Sequence, residues 1–130
     1  MITLKELNPK NFPTTPEIDQ NLNKLLEHIN KFRAVYGKPM NVTSGLRSME
    51  DHLRIYNQKG ITDPAKIPMA SKHLHGKAVD IADPKGELMD YCKANEALLE
   101  SCELWLEDGT KGWVHFQCEP PKSGKRFFKP

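Results

Sequence analysis

Three residues of the sequence have the side-chain types and the spacing of a metal site. His73 and Asp80 lie in the segment SKHLHGKAVD, residues 71–80, and His115 follows in the triplet WVH, residues 113–115. Two imidazoles and one carboxylate form a ligand set for Zn²⁺ that leaves a fourth position open for water. The pattern therefore indicates a catalytic site with one zinc ion per chain, and a hydrolytic reaction.

The residues between His73 and Asp80 predict how these two side chains meet. Gly76 allows the chain to turn sharply after His73. Residues 77–82 alternate polar and apolar side chains before a break at residues 83–84, which is typical of a short strand. Asp80 is therefore expected on a strand that returns toward His73.

The remaining histidines are less suited to this metal. His75 is two residues from His73 and would point the opposite way on an extended segment, so we expect it at the rim of the site or behind the ligands. His28 and His52 are predicted to lie on helices and to be exposed. Chance placement is the alternative for any histidine, but three ligand-type residues in one ordered pattern argue against it.

The two segments resemble a family of zinc peptidases. The pattern Ser-x-His-x-x-Gly-x-Ala-x-Asp, followed by Trp-x-His, is similar to that of D-alanyl-D-alanine carboxypeptidases, vancomycin-resistance dipeptidases and phage L-alanyl-D-glutamate endolysins, with hedgehog signalling domains as relatives. The segment SGLRS, residues 44–48, resembles a further motif of the family, with Leu46 where an aromatic residue is commoner. The resemblance covers about residues 17–118.

The resemblance implies a zinc peptidase that hydrolyses peptide bonds in the stem peptides of bacterial peptidoglycan. A phage-type L-Ala-D-Glu endopeptidase, either an endolysin or a virion-associated enzyme, is favoured by the phage-like residues 120–126 and by the lack of a signal peptide. D-Ala-D-Ala carboxypeptidase activity is the alternative, and it would require Arg47, Lys72 or Lys77 to bind the terminal carboxylate.

Two hypotheses of a different class also fit the ligand set. One is a non-catalytic zinc-containing binding module, as in the hedgehog-type relatives. The other is an Fe(II) enzyme, because two histidines and one carboxylate also suit that metal. The flanking Ser, Gly, Ala and Trp positions match the peptidases and favour hydrolysis over iron chemistry.

The general base is expected at a different position from that of several relatives. Several relatives place an acidic residue three positions before the last histidine, but this position is Gly112 here, so Glu107 and Asp108 are the candidates. If the leucines beside Glu107 face the core, strand alternation places Glu107 on the same face as His115. A register slip would favour Asp108, and both acids could also be solvated hairpin residues. As base, Glu107 would take a proton from the water that zinc acidifies and pass it to the leaving amine.

Three further residues are predicted to contact the substrate. Arg47 is expected to stabilise the oxyanion or to bind a substrate carboxylate, with a structural salt bridge as the competing interpretation. Trp113 is predicted to form a wall of the cleft, since it shares a strand face with His115, and a core position is the alternative. Ser71 either forms a hydrogen bond near the substrate or shapes the turn.

The rest of the sequence predicts the elements that position these residues. Thr15 and Pro16 begin a helix whose apolar residues repeat at helical spacing as far as Gly37. The further elements are a strand at 40–43, a helix at 48–57, a surface loop at 58–70, a helix at 83–101 and a hairpin of strands at 103–107 and 112–117. We expect an α+β fold in which a small antiparallel sheet carries the zinc site and packs against helices, as the hedgehog/DD-peptidase resemblance implies.

Composition and charge limit the class of protein. The 130 residues, 38% of them hydrophobic, are enough for one domain with one core, so we expect a single domain over residues 1–130. The net charge of +2 comes from 19 basic and 17 acidic residues that are mostly interspersed, so no nucleic-acid partner is expected. Only a C-terminal tail, about residues 119–130, is clearly basic, and we interpret it as solvated rather than as a binder of anionic wall polymers.

The sequence predicts a monomer that is made in the cytoplasm. It has no signal-peptide pattern and no apolar run long enough to span a membrane. Such a protein would act on the cell wall after release or as a virion component. Cys92, Cys102 and Cys118 are odd in number and lack Cys-x-x-Cys spacing, so buried free thiols are expected.

Overall fold

Helices and strands alternate along the residues that the computed structural model describes, 1–67 and 71–129. The helices are α1 (Leu4–Leu7), α2 (Pro16–Tyr36), α3 (Met49–Gln58), α4 (Glu87–Ala94) and α5 (Glu96–Ser101), with a 3-10 turn at Pro64–Lys66. The strands are β1 (Val42–Ser44), β2 (Ala78–Asp83), β3 (Trp105–Glu107), β4 (Gly112–Gln117) and β5 (Phe127–Phe128). The α+β class predicted from the sequence is confirmed.

The strands form one sheet in the order β1-β2-β4-β3-β5. The pairs β1–β2, β2–β4 and β3–β4 are antiparallel, as predicted, but β3–β5 is parallel, so the sheet is mixed. The prediction that residues 119–130 form a solvated tail is wrong for Phe127–Phe128, because these residues form β5 and Phe128 is only 9% exposed. Burying Phe128 stabilises an edge strand too short to produce a periodic pattern in the sequence.

Helix α2 confirms the prediction in detail. The Thr15 side chain accepts a hydrogen bond from the Ile18 N–H, Pro16 occupies the first turn, and Gly37 ends the helix at φ 75°. Its apolar face packs on the sheet, where the Phe32 ring lies 5.3 Å from the Phe116 ring between centroids. The buried residues of this helix are Leu22, Leu25, Ile29 and Phe32.

The helix predicted over residues 83–101 is instead two helices. Asp83 is the last residue of β2, and its two carboxylate oxygens accept hydrogen bonds from the Leu88 and Met89 N–H groups, both at 3.0 Å. The start of α4 is thus capped by a residue of the preceding strand. Asn95 interrupts the helix at φ −130°, and its side-chain amide donates to the Tyr91 carbonyl at 2.8 Å. That local hydrogen bond competes with continuation of the helix.

The shorter elements agree with the predictions within a few residues. Ser48 caps α3, and its hydroxyl accepts a hydrogen bond from the Asp51 N–H at 3.1 Å. The first strand is shifted from residues 40–43 to Val42–Ser44. Part of the predicted loop, residues 68–70, lies outside the described residues. His52 was expected to be exposed but is fully buried, with its ring 4.9 Å from that of Tyr56.

The three cysteines are free and buried, as predicted. Burial raises the pKa of the Cys92 thiol to about 12, so this side chain is not a thiolate at neutral pH. None of the helices in the described part of the chain is long and apolar enough to cross a membrane.

Candidate active site

Strand pairing brings two of the three predicted metal ligands together. Asp80 on β2 is the direct partner of His115 on β4, and Asp80 Oδ1 lies 3.0 Å from His115 Nδ1. His73 Nε2 lies 3.2 Å from the same carboxylate oxygen. One potential ligand atom from each residue lies within 4.8 Å of the others. The structure therefore assembles these side chains into one cluster that could hold a metal ion.

A tight turn before β2 delivers His73 to this cluster. The Lys77 N–H donates to the Lys72 carbonyl at 2.9 Å, which closes the turn around His73. Gly76 has φ 72°, and a Cβ at this position would lie 3.0 Å from Cγ of Leu22 on α2. Glycine is needed here both for the left-handed conformation and for the close approach of the helix, which supports the turn predicted from the sequence.

A backbone carbonyl selects the tautomer of His73. Nδ1 of this ring lies 2.9 Å from the Gly45 carbonyl oxygen. Because a carbonyl only accepts hydrogen bonds, Nδ1 carries the proton in the neutral ring, and the lone pair is on Nε2, which faces Asp80. His73 is only 4% exposed, so it has little freedom to rotate.

A side-chain amide selects the tautomer of His115 in the same way. Its Nε2 lies 3.0 Å from Gln117 Oε1, and the Gln117 amide group donates to the Glu119 carbonyl at 2.8 Å. The opposite amide orientation would place Oε1 against that carbonyl, so the oxygen must face His115. Nε2 of the neutral ring therefore carries the proton, and the lone pair on Nδ1 faces Asp80.

The outer hydrogen bonds thus turn three acceptor atoms toward one another. With neutral rings, the lone pairs of His73 Nε2 and His115 Nδ1 both face the Asp80 carboxylate. Such an arrangement is repulsive unless a proton or a metal cation lies between the atoms. Outer hydrogen bonds that orient histidines in this manner are typical of metal sites. The donor set and its supports fit a zinc ion.

In the metal-free protein, the surroundings of the cluster favour a proton on His115 and disfavour one on Asp80. Burial would raise the pKa of Asp80, but hydrogen bonds from His115 and His73 outweigh it and hold this pKa well below its usual range. Burial would lower the pKa of His115, but the hydrogen bond and charge of Asp80 raise it, and the Glu107 charge adds to the effect. A metal ion must therefore compete with protons for this site.

The cluster opens onto a cavity of about 630 Å³. Four of the residues predicted to act in catalysis or substrate binding line this same cavity, and they are Arg47, Ser71, Glu107 and Trp113. Trp113 is 41% exposed, so it lies on the cavity wall and not in the core. Ser71 lines the cavity, and its backbone carbonyl also accepts a hydrogen bond from the Leu74 N–H at 3.1 Å, so it contributes to the turn as well.

The two candidate bases have different surroundings. The pairs Trp105–Gln117 and Leu106–Phe116 define the hairpin register, and the buried Leu106 leaves Glu107 on the face of His115. Glu107 is half-buried and lines the cavity. Asp108 is not among the described cavity residues, and its carboxylate lies 3.0 Å from Lys93 Nζ, which lowers the pKa of Asp108.

Arg47 lines the cavity without a carboxylate partner. Its backbone N–H donates to the His73 carbonyl at 3.1 Å, which ties the two segments together. Within residues 1–67 and 71–129 it forms no salt bridge, and its buried Nε has no hydrogen-bond partner. A buried donor without a partner is rare in proteins. Arg47 also lines the cavity and forms no described ion pair, which favours a ligand contact of its guanidinium over a structural salt bridge.

Several residues at the site were not singled out in the sequence. Gln117 could have been found, since it lies two positions after His115 on the same strand face. The role of the Gly45 carbonyl has no sequence signal. His75 is exposed and lines a separate cavity, so it lies apart from the cluster of three candidate ligands. Further cavity-lining residues come from the C-terminal segment, and they are Pro121, Lys122, Ser123, Phe128 and Lys129.

Comparison with known proteins gives a family match and a similar fold. The sequence matches the model of the peptidase M15 family over residues 1–116. No curated protein matches the sequence. The chain is similar to the crystal structure of the L-Ala D-Glu endopeptidase ChiX from Serratia marcescens, with a TM-score of 0.54 and 20% sequence identity over 85% of this chain and 92% of that chain. At this identity the likeness concerns the fold.

Proposed function

Because the chain belongs to the peptidase M15 family and is a metallopeptidase, we propose that it uses one zinc ion to hydrolyse a peptide bond in the stem peptides of bacterial peptidoglycan. The observation that carries this proposal is the convergence of His73, Asp80 and His115 at a cavity lined by Glu107 and Arg47. We favour the L-Ala-D-Glu bond because an L-Ala D-Glu endopeptidase has a similar fold. A phage-type endolysin or virion-associated role remains a prediction from the sequence of residues 120–126.

Three residues would hold the zinc ion, and they leave one position open, as catalytic zinc sites do. His73 contributes Nε2, His115 contributes Nδ1 and Asp80 contributes a carboxylate oxygen. A zinc ion in this position supplies Lewis acidity and lowers the pKa of a water molecule.

The remaining chemistry belongs to side chains of the cavity. The Glu107 carboxylate accepts a proton from the attacking water and then delivers it to the leaving amine. The Arg47 guanidinium donates to the oxyanion that develops on the scissile carbonyl. Trp113 supplies an apolar wall that limits the access of bulk water and orients the peptide.

D-Ala-D-Ala carboxypeptidase activity is the second candidate. It needs a cation for the terminal carboxylate, and Arg47, Lys72 and Lys77 are the three considered from the sequence. Lys72 and Lys77 both form ion pairs with Glu119, at 3.1 and 2.8 Å. Arg47 is the one of these three that has no carboxylate partner among the described residues, so a carboxypeptidase would have to use it for the terminal carboxylate.

A digest of purified peptidoglycan by the zinc-loaded protein tests the proposal. We expect the release of new amino groups, with product masses that correspond to fragments beginning with D-Glu. Release of free D-Ala would instead identify a carboxypeptidase. The variant His115→Ala, which lacks one proposed ligand, serves as the inactive control. No release by wild-type protein shown to hold one zinc would overturn the proposal in favour of a zinc-containing binding module.

A further inference from the structure

The C-terminal wall of the cavity (Pro121, Lys122, Ser123, Phe128 and Lys129) lies outside the segment matched by the family model. It begins shortly after β4, where Glu119 forms ion pairs with Lys72 at 3.1 Å and Lys77 at 2.8 Å. Both lysines belong to the turn that delivers His73. The start of the wall is therefore attached to a segment that carries a proposed metal ligand.

The far end of the wall is attached to the strand that carries Glu107. The Leu106 N–H donates to the Arg126 carbonyl at 2.8 Å, and the Asp108 N–H donates to the Phe128 carbonyl at 2.6 Å. The Arg126 guanidinium also lies 4.6 Å from the centre of the Trp105 ring. Because both ends of the C-terminal wall are attached to neighbouring segments, the wall residues have a defined position in the cavity beside the candidate metal ligands.

The wall contributes Lys122 and Lys129, which form no ion pair with a carboxylate of the described residues, although the charge of Lys129 helps to lower the pKa of Asp108. The described residues that line the cavity include the acidic side chains of Asp80 and Glu107, and Asp80 is engaged by two histidines. Lys122 and Lys129 are exposed and form no ion pair within the described part of the chain. The basic residues of the cavity are Arg47, Lys59, Lys72, Lys122 and Lys129.

A cleft lined by charges of one sign concentrates its electrostatic potential and attracts ligands of the opposite charge. Five basic side chains face two acidic ones among the described lining residues, and Lys72 is the member of the five already paired, with Glu119. A divalent metal ion at the cluster would add to the positive potential. The cavity is thus suited to a peptide that carries free carboxylates.

We propose that the C-terminal wall determines substrate specificity: Lys122 and Lys129 bind a carboxylate that the substrate carries beside the scissile bond. The inference rests on the proposed peptidase function and adds to it a preference for acidic peptides over their amidated forms. In a stem peptide, the D-Glu that follows the scissile bond supplies such a carboxylate.

The test compares two peptides that differ by one charge. The first is L-Ala-γ-D-Glu-L-Lys-D-Ala, and the second carries D-isoglutamine in place of D-Glu. The variants are the double substitution Lys122→Gln with Lys129→Gln, and the control Lys125→Gln, which removes an exposed charge from the same segment but not from the described cavity lining.

We expect wild-type protein to cleave the acidic peptide with the higher kcat/KM. In the double variant, kcat/KM for the acidic peptide should fall roughly 2- to 30-fold, mainly through KM, because exposed charge pairs are worth about 0.2–1 kcal/mol each and two are removed. The amidated peptide should be affected less than about twofold, and added salt should reduce the preference. The control variant should behave like wild type toward both peptides.

Equal cleavage of both peptides by wild type, or equal losses in Lys125→Gln and the double variant, would overturn the inference while leaving the peptidase function intact. Equilibrium binding of the two peptides to zinc-loaded Glu107→Gln protein provides a readout that does not depend on turnover. If neither wild type nor any variant cleaves either peptide, the proposed peptidase function is contradicted. If the Glu107→Gln protein binds the acidic peptide more tightly than the amidated one, and the double lysine substitution abolishes this difference, the binding role of the C-terminal wall is still supported. If the Glu107→Gln protein binds the two peptides equally, that role is refuted.

Discussion

Asp80 and His115 are direct partners across β2 and β4, and their side chains meet at 3.0 Å between Oδ1 and Nδ1. Direct partners in an antiparallel pair have Cβ atoms about 4.5–5.5 Å apart, so the backbone ladder itself sets the spacing of these two side chains. His73 reaches the same oxygen from a turn whose geometry depends on Gly76. The cluster therefore combines a rigid pair with one residue from a tight turn.

Zinc should stabilise the folded protein through this cluster. A metal that binds only the folded state, and is present at a free concentration about 1,000 times its Kd, adds about 4 kcal/mol to the free energy of unfolding. We expect a chelator to lower the melting temperature of wild type, and Asp80→Asn to abolish most of the response to zinc. The exposed Asp90→Asn provides the matched control. A wild-type melting temperature that does not respond to zinc would contradict the assignment of these ligands.

Gln117 should act as a positioning residue for His115. Substitution Gln117→Leu removes the acceptor for His115 Nε2 at a position that is only 3% exposed. Loss of such an outer hydrogen bond typically weakens metal affinity about 10- to 100-fold. Competition with a chromophoric chelator measures the affinity, and Gln20→Leu on the exposed face of α2 is the control. Equal zinc affinity in the two variants would refute this role.

Glu107 and Asp108 should respond differently to removal of their charge. Glu107→Gln is expected to reduce kcat about 10²- to 10⁴-fold, the usual contribution of a general base, with zinc binding retained. Asp108→Asn breaks an ion pair with Lys93 and should change kcat less than about threefold, since exposed ion pairs contribute little. Rates with a synthetic stem peptide decide between them. A larger loss in Asp108→Asn would assign the base to the turn.

Gly45 should tolerate no side chain. A Cβ at this position would overlap the carbonyl oxygen of Leu7, which also accepts a hydrogen bond from the Leu46 N–H at 2.7 Å. Gly45→Ala must displace backbone, so we expect a loss of about 1–3 kcal/mol or more in urea unfolding. It should also weaken zinc binding, because the Gly45 carbonyl orients His73.

The control for this glycine is Gly60→Ala. Gly60 has φ 83°, and the position that a Cβ would occupy has no atom within 4 Å, so only the left-handed conformation is penalised, at about 1–2 kcal/mol. It lies outside the described lining of the cavity and should leave zinc affinity unchanged. A smaller loss of stability in Gly45→Ala than in Gly60→Ala would contradict the close approach to Leu7.

Glu119 should contribute stability that depends on pH. Hydrogen bonds from Lys77 and Lys72 lower the pKa of this carboxyl group. A lowered pKa in the folded state means that the stabilisation is present above the ordinary glutamate pKa of about 4.3 and is lost as the pH falls through the folded-state value. In metal-free protein, Glu119→Gln should lower the melting temperature at pH 7, and the difference from wild type should shrink as the pH falls below the ordinary glutamate pKa of about 4.3. A constant difference would argue against the ion pairs.

Much of the fold follows from local signals in the sequence. The ends of α2 were predictable because Thr15, Pro16 and Gly37 act on the nearest turn of the helix. The hairpin face of Glu107 was predictable because side chains alternate along a strand, so two buried positions determine the rest. The proximity of His73, Asp80 and His115 was expected from their motif and from the strand predicted between them.

Contacts between segments far apart in the chain could not be predicted from the sequence, because they depend on how the elements pack. The C-terminal residues were expected to be solvated, yet Phe128 joins the sheet beside Glu107. The stabilisation of this strand comes from pairing with a strand about twenty residues away in sequence, so no local pattern predicts it. The orientation of Gln117 depends on the Glu119 carbonyl, and that of His73 on the Gly45 carbonyl. Local spacing in a sequence indicates which face of an element is buried. Which atom a side chain then meets depends on how the elements pack, and this is why residue types and a fold could be predicted while the hydrogen bonds and charges around the metal cluster could not.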